Sequence, residues 1–474
     1  MHLRDLTPEQ KKSGLAAWLG WMFDGLDMHI YTLVATLFVA ILVNASMTSD
    51  AFKTMDINGD GRIVAAEWAS TEPLAVERAS KEPLAVADRN HDGAISVEEY
   101  DVFAAKSQTG SDIVKTRASW IQAAFLVGWA VGGAFFGRIG DLMGRARALS
   151  FTVLTYALFT GLSFFATEWW HLLIFRFLAA LGIGGEWAVG STLLAETWPK
   201  AWRPWTAAVL QTGVNIGVLI ACAVGVILSG QHPKYIFLIG VAPALLVFWI
   251  RSHVPEPAAW SAAQTGGPKP GVIDLFRGRT LRITLPSIGV CAFSLTAWWA
   301  FMFWQAQHVR SLDEAKAMNA TDRDQLVYIG FALIIGISVI GNFVAGWLAK
   351  MWGYKAALVT MFAGFAVTMT CAFGVPHAIG PLVYFWLPAV GFWSGVFGLF
   401  TMMLPPLFPT LLRTTGAGFC YNIGRIAAAV GTIFAAWITK GDNYRMTLLI
   451  DGFLFVPAIV FALFLPLKDT PEEE

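Results

Sequence analysis

Twelve apolar stretches, each close to the length of a membrane-crossing helix, leave this sequence few ways to fold. A hydrocarbon core about 30 Å thick takes around 20 apolar residues in a helix. Stretches of that kind lie near 15–43, 116–137, 148–167, 170–194, 204–229 and 234–251, and again near 283–307, 325–349, 356–375, 381–404, 415–439 and 444–467. The chain is 56% hydrophobic and 14% charged, with a mean hydropathy of +0.57. A soluble chain would carry roughly a quarter charged residues, so much of this surface faces something other than water. The fold expected is an all-α polytopic membrane protein of two six-helix bundles. Arg4, Asp5, Glu9, Lys11 and Lys12 precede the first stretch. At about 29 residues that stretch exceeds the 7–15-residue core of a signal peptide, so we read it as an uncleaved span.

Lys+Arg and Asp+Glu balance at 33 each, which offers nothing to a nucleic-acid partner. Cys222, Cys291, Cys371 and Cys420 all lie inside apolar stretches and read as small buried residues. With the N-terminus inside, the cytoplasmic ends and short loops collect about seventeen Lys and Arg against about six outside. Arg138, Arg145, Arg147, Arg251, Arg277, Arg279 and Arg282 carry most of that bias. The reading is a multi-pass protein of the cell (inner) membrane with both termini cytoplasmic. Its divisions are 1–251, the first bundle; 48–112, an extracytoplasmic insertion; 252–282, a polar cytoplasmic linker; and 283–474, the second bundle.

The two halves share a loop. Gly137-Arg-Ile-Gly-Asp141-Leu-Met-Gly144-Arg145-Ala-Arg147 ends the second span, and Gly346-Trp-Leu-Ala-Lys350-Met-Trp-Gly353-Tyr-Lys355 ends the eighth. Duplication of a six-span unit is a common build for secondary transporters, with the substrate site at the midplane between halves. The first loop resembles the signature of the major facilitator superfamily between its spans two and three. Arg176-Phe-Leu-Ala-Ala-Leu-Gly182-Ile-Gly184 is similar to its span-four signature. Gly20-Trp-Met-Phe-Asp24-Gly-Leu-Asp27, Gly185-Glu186-Trp187, Ala195-Glu196-Thr-Trp-Pro199…Arg203 and Arg413-Thr-Thr-Gly416…Asn422-Ile-Gly-Arg425 bring the resemblance nearest to the sialate/lactate and aromatic-acid proton symporters. The resemblance covers all but the insertion. Two departures stand out: Lys350 replaces the aspartate of the first loop, and 252–282 is too polar for the extra spans of some sialate carriers. The second points to a smaller organic acid.

Ionisable side chains near the bilayer centre cost at least about 2.5–3.5 kcal/mol on insertion scales, and mark function by default. Asp24 and Asp27 are three apart, on one helix face. Two carboxylates so close disfavour double ionisation, which suits a proton carrier; the plain alternative is a salt bridge to a neighbouring helix. Glu186 is the third candidate for proton coupling. Arg425 offers a fork matched to a carboxylate, and the resemblance implies that it holds the substrate; the alternative is that it neutralises an aspartate. Tyr421 and Asn422, just before it, are read as lining the site, and Gln211 and Asn215, four apart on one face of span five, either line it too or form ordinary interhelical hydrogen bonds. Asp141, Arg145 and Arg176 are expected to gate. Asp451 reads as structural. Trp298, Trp299, Phe301, Phe303 and Trp304 could shape a pocket, though most aromatics in spans face lipid or other helices.

The insertion carries two twelve-residue calcium loops. Asp56-Ile-Asn58-Gly-Asp60-Gly61-Arg62-Ile63-Val64-Ala-Ala-Glu67 is the first, and Asp88-Arg-Asn90-His-Asp92-Gly93-Ala94-Ile95-Ser96-Val-Glu-Glu99 the second. Asp56, Asn58, Asp60, Asp88, Asn90 and Asp92 supply side-chain oxygens at positions 1, 3 and 5; Arg62 and Ala94 a backbone carbonyl at 7; Glu67 and Glu99 a bidentate carboxylate at 12. Ile63 and Ile95 are placed to pair the loops. Between them lies a small repeat, Glu72-Pro-Leu-Ala-Val76 and Glu82-Pro-Leu-Ala-Val86. The cofactor expected is Ca2+, as a permanent clamp or as a sensor on the outward gate.

The reading is a monomeric proton-coupled symporter of a small organic anion, probing both sides of a lipid bilayer by alternating access. Alternatives are a calcium-responsive sensor on a transporter-derived scaffold, or a carrier of another organic ion or sugar acid. No nucleophile–base set, phosphate loop or HExxH motif marks an enzyme.

Overall fold

The computed structural model describes residues 6–70, 87–106, 111–228, 231–264, 270–318, 320–438 and 444–467. The Glu72 and Glu82 repeat lies outside them. Span one begins at Pro8, where Thr7 Oγ1 accepts from Gln10 N (3.2 Å) and Gln10 Oε1 accepts from Thr7 N (2.9 Å), a reciprocal cap that satisfies two orphan donors. It then runs to Met55 as one helix of 48 residues, about 72 Å at 1.5 Å per residue. Asp112–Met143, Arg145–Leu162, Trp169–Thr197 and Arg203–Ile227 follow as spans two to five, and span six occupies Pro233–Ile250.

Gly278–Ser311 is span seven. Ala320–Gly374 is two spans, eight and nine, meeting at Gly353, where φ is 81° and ψ 163°. Span ten covers Ile379–Leu407, span eleven Arg413–Ile438 and span twelve Tyr444–Phe464. Nine helices among the described residues are long and apolar enough to cross a membrane. Dividing the pair at Gly353 and adding spans one and eleven gives the twelve expected.

Glycines set the close crossings, as expected where lipid removes the hydrophobic drive and backbones must touch. Gly128 and Gly132 of span two lie on the span-four backbone at Phe177 and Leu181, and Gly341 of span eight lies on Phe392 of span ten. Gly217 of span five meets Met22 of span one, and Gly424 of span eleven meets Cys291 of span seven. Across the halves, Gly133 meets Gly418, and Gly346 meets Pro204. Each contact has its counterpart in the other half, the packing signature of the duplication. Gly144, like Gly353, has positive φ (108°), so both copies of the shared loop turn at a glycine.

A second duplicated segment went unread in the sequence: Thr197-Trp-Pro199-Lys-Ala-Trp-Arg203 and Leu407-Phe-Pro409-Thr-Leu-Leu-Arg413. Each ends a span, makes one tight turn and starts the next. Cys291 and Cys420 are buried as expected, but Cys371 is exposed, because the outer turns of span nine present it to the surroundings.

The insertion forms a small body of its own. Strands β1 (Arg62–Val64) and β2 (Ala94–Ser96) pair antiparallel with Ile63 opposite Ile95, the pairing read from the sequence. Both isoleucines are fully buried with Phe52, Ala87, Tyr100 and Ala104. Phe52 comes from the end of span one and Tyr100 from the helix Val97–Lys106, their rings 5.7 Å apart.

Candidate functional site

Asp24 and Asp27 share a helix face but meet different partners. Asp27 pairs with Arg176 of span four at 3.2 Å, and Arg176 also donates to the Asp27 carbonyl at 3.3 Å. Thr160 of span three donates its hydroxyl to the same carboxylate. The guanidinium lies over Phe125 (4.9 Å) and Tyr31 (5.5 Å). Both side chains are essentially inaccessible, and pairing an acid with a base offsets the burial of each.

Asp24 instead faces Glu186 of span four, with Asp27 and Arg425 as its other charged neighbours. Gly20, one turn earlier, leaves the space that the Glu186 carboxylate fills. Tyr156 of span three stands beside Glu186. The Tyr156 hydroxyl is the donor beside Glu186, and among the described residues neither Asp24 nor Glu186 forms an ion pair. Two buried carboxyls in contact with no cation between them cannot both stay ionised. A shared proton is the simplest way to satisfy them. The sequence reading placed Glu186 near the site but missed Tyr156 and Thr160, since a lone hydroxyl in an apolar span carries no local signal.

Arg425 sits between rings. Its guanidinium is 3.6 Å from the Trp129 centroid and 4.6 Å from that of Tyr421, and its Nη1 donates to Asn422 Oδ1 at 2.6 Å. Among the described residues its Nε has no hydrogen-bond partner. Asn422 spends its other end on the Gly418 carbonyl (2.7 Å), so it positions the arginine and has little left to offer a ligand. Tyr421 stacks on Trp187 of span four at 3.9 Å and 7°, and Trp129 meets Trp299 of span seven edge-on at 6.3 Å. The rings around Arg425 thus come from both halves.

Gln211 is half-buried beside Gly398 of span ten. Asn215 donates to Ser338 Oγ of span eight at 3.4 Å, bridging the halves. Of the span-seven aromatics only Trp299 reaches this region. Trp298 packs on Phe365 and Phe397 within the second half, Trp304 stacks on Tyr444, Phe301 is core, and Phe303 is exposed. Asp451 is buried and its Oδ2 has no partner among the described residues, so no salt bridge explains it.

At the membrane face where the described residues begin and end, the halves are tied together. Asp141 accepts from Thr414 N (3.2 Å), Thr415 N (2.9 Å) and the Thr415 hydroxyl (2.5 Å), and pairs with Arg145 at 3.2 Å. Arg145 forks onto Glu196 at 3.0 Å through Nε and Nη2, and donates to the Thr410 carbonyl at 2.7 Å. Arg413 closes the set on Glu196 at 2.9 Å. Glu196, quoted in the motif without a role, is the hub. Lys350, in the second copy of the loop, only approaches the Trp205 ring at 6.0 Å.

In the two twelve-residue loops, Asp56 accepts from Asp60 N and Gly61 N, and Asp88 from Asp92 N and Gly93 N. Gly61 and Gly93 have φ of 79° and 87°, as a sharp turn at position 6 needs. Glu67 Oε1 holds Ile57 N and Asn58 N, and Glu99 Oε1 holds Arg89 N and Asn90 N. Arg62 pairs with Asp92 of the other loop at 3.2 Å. Among the described residues no three Asp, Glu, His or Cys side chains converge on one metal-binding point. The donor set is nonetheless all hard oxygen and fits calcium. Nearby, burial and the neighbouring Lys234 charge push His232 down to about 4, so it is neutral and its Nδ1 accepts from Lys234 N at 3.2 Å.

Two duplicated six-helix halves enclosing buried ionisable groups define a membrane transporter. The Major Facilitator Superfamily family model matches residues 102–419, and the EF hand model matches residues 49–70 and 84–104. The chain belongs to the Major Facilitator Superfamily. It is 27% identical to the sialic acid transporter NanX of Escherichia coli, over 73% of this chain and 84% of that one. It is 30% identical to a probable 4-methylmuconolactone transporter of Cupriavidus pinatubonensis, over 67% and 74%. The solved structure of the proton:xylose symporter XylE bound to 6-bromo-6-deoxy-D-glucose aligns with a TM-score of 0.66 at 16% identity, over 97% and 96%.

Proposed function

We propose that this transporter is a symporter that carries a small organic carboxylate together with a proton, loading both from the side opposite its termini. The observation that carries the reading is the contact of two buried carboxyls, Asp24 and Glu186, neither in an ion pair among the described residues, within electrostatic reach of Arg425. A proton neutralises the acid pair and frees Arg425 to engage a carboxylate with its fork. The Trp129 and Tyr421 rings hold the guanidinium where it lies, so substrate meets a preorganised cation. The names of the relatives, a sialic acid and a lactone transporter, are consistent with an organic-acid cargo. Arg–Asp pairing of Arg176 with Asp27 makes those two residues the fixed frame of the site. Asp141, Arg145, Glu196 and Arg413 form the latch that closes the cytoplasmic side, and the EF-hand pair binds calcium outside. The positive-inside bias supports that orientation.

The test is uptake of labelled carboxylates by proteoliposomes under an inward proton gradient. Gradient-driven uptake that is lost in Glu186→Gln, while substrate counterflow survives, supports the reading. Uptake indifferent to the gradient, or retained in full by Glu186→Gln, overturns it.

A further inference from the structure

Span one is both a wall of the acid site and the entering helix of the first calcium loop. From Leu26 to Met55 it contains neither Gly nor Pro, about 45 Å of unhinged helix at 1.5 Å per residue. At one end Asp27 is held by Arg176 and Thr160. At the other the helix caps on Asp56, the first residue of the loop, whose N–H bonds the Phe52 carbonyl. The second loop has its own anchor. Glu99 is its twelfth residue, and Glu98, beside it, accepts from Lys234 Nζ at 2.7 Å and from the Tyr235 hydroxyl at 3.1 and 3.0 Å. Lys234 and Tyr235 begin span six. The calcium module is therefore attached to the transport body by a rod, span one, and a strut, Glu98–Lys234.

We infer that calcium loading and the transport cycle are linked through this rod and strut, calcium favouring the conformation seen here, with the latch at the termini closed. The inference rests on the proposal that the two loops bind calcium. Coordination by Asp56 fixes the end of span one, and coordination by Glu99 fixes the turn that carries Glu98. When the Asp24–Glu186 pair loads or empties and span one moves together with its Arg176–Asp27 frame, the unhinged helix carries Asp56 with it. A change in state then alters calcium affinity, and by linkage calcium alters the balance of states by the same factor.

The experiment uses the full chain in lipid nanodiscs. Calcium is titrated calorimetrically into the wild type, into Lys234→Ala and into an unlatched Asp141→Asn/Arg145→Gln variant. Spin-label distances are read between Trp170→Cys and Val375→Cys, exposed positions on the loop side of each half, with the native cysteines replaced. The expected result is a Kd raised about fivefold or more in both variants, the scale of ordinary allosteric coupling. Calcium should also shift the distance distribution in the otherwise wild-type chain and fail to do so with Lys234→Ala. Glu98→Gln serves in place of Lys234→Ala should the latter unfold. A wild type that takes up no calcium at millimolar concentration overturns the calcium assignment itself. Two calcium ions bound with a Kd within twofold in every protein, and distances blind to calcium, leave that assignment standing and overturn the coupling.

Discussion

Asp27 and Asp24 stand one helical turn apart, equally buried, yet one faces an arginine and the other a glutamate. The first pair is balanced in charge and further tied by Thr160; the second sets two like groups against each other, with no ion pair to either among the described residues. Balanced burial makes structure, because removing either partner strands the other charge in a medium that cannot solvate it. Unbalanced burial makes a site, because only a proton or an incoming cation can relieve it. The comparison teaches that a carboxylate in a span is a question, and that its neighbours on other helices supply the answer.

The sharpest way to break this comparison is at Asp27. Asp27→Ala should cost about 3–5 kcal/mol of stability by leaving Arg176 unpaired, read as early thermal unfolding in detergent, while the double variant with Arg176→Ala should lose clearly less than the sum of the singles. Glu186→Gln should do the opposite: thermal stability unchanged or raised, with proton-driven accumulation abolished and counterflow retained. Arg425→Lys keeps the charge but loses the fork and the ring stacking, and should raise KM for a carboxylate on the order of tenfold with a smaller change in maximal rate. Asp141→Asn weakens the accepting end of three latch hydrogen bonds. It should speed cysteine labelling from the side of the Asp141 cluster several-fold, an effect of about 1 kcal/mol on the closed state. The smallest effect is expected at Ile95→Ala, where trimming the buried ladder partner of Ile63 should weaken calcium binding only a few-fold and leave uptake unchanged at saturating calcium.

Much of the architecture was legible beforehand. Span number, the half-by-half repeat and the Ile63–Ile95 pairing follow from apolar length, loop motifs and position in a twelve-residue loop, all local properties. Asp141 and Arg145 stand out in the sequence through their motif, but the residues they bond in the fold, Thr410, Thr414 and Thr415, lie some 270 residues away and carry no signal of their own. The aromatic cluster on span seven divides between core, lipid face and site, a sorting that depends on the rotation of one helix against five others. Asn422, read as a substrate ligand, turns out to have its amide engaged at both ends.

The sequence alone therefore determined that this protein crosses the membrane as a duplicated helical bundle with calcium-loop motifs inserted after its first span, because hydropathy, repeats and ligand spacing are written along the chain. Only the tertiary structure decided which buried charges offset one another and which are left facing a like charge. Those pairings join spans one, three and four across more than a hundred residues, and they are set by helix rotation and glycine-mediated approach, which no local pattern encodes.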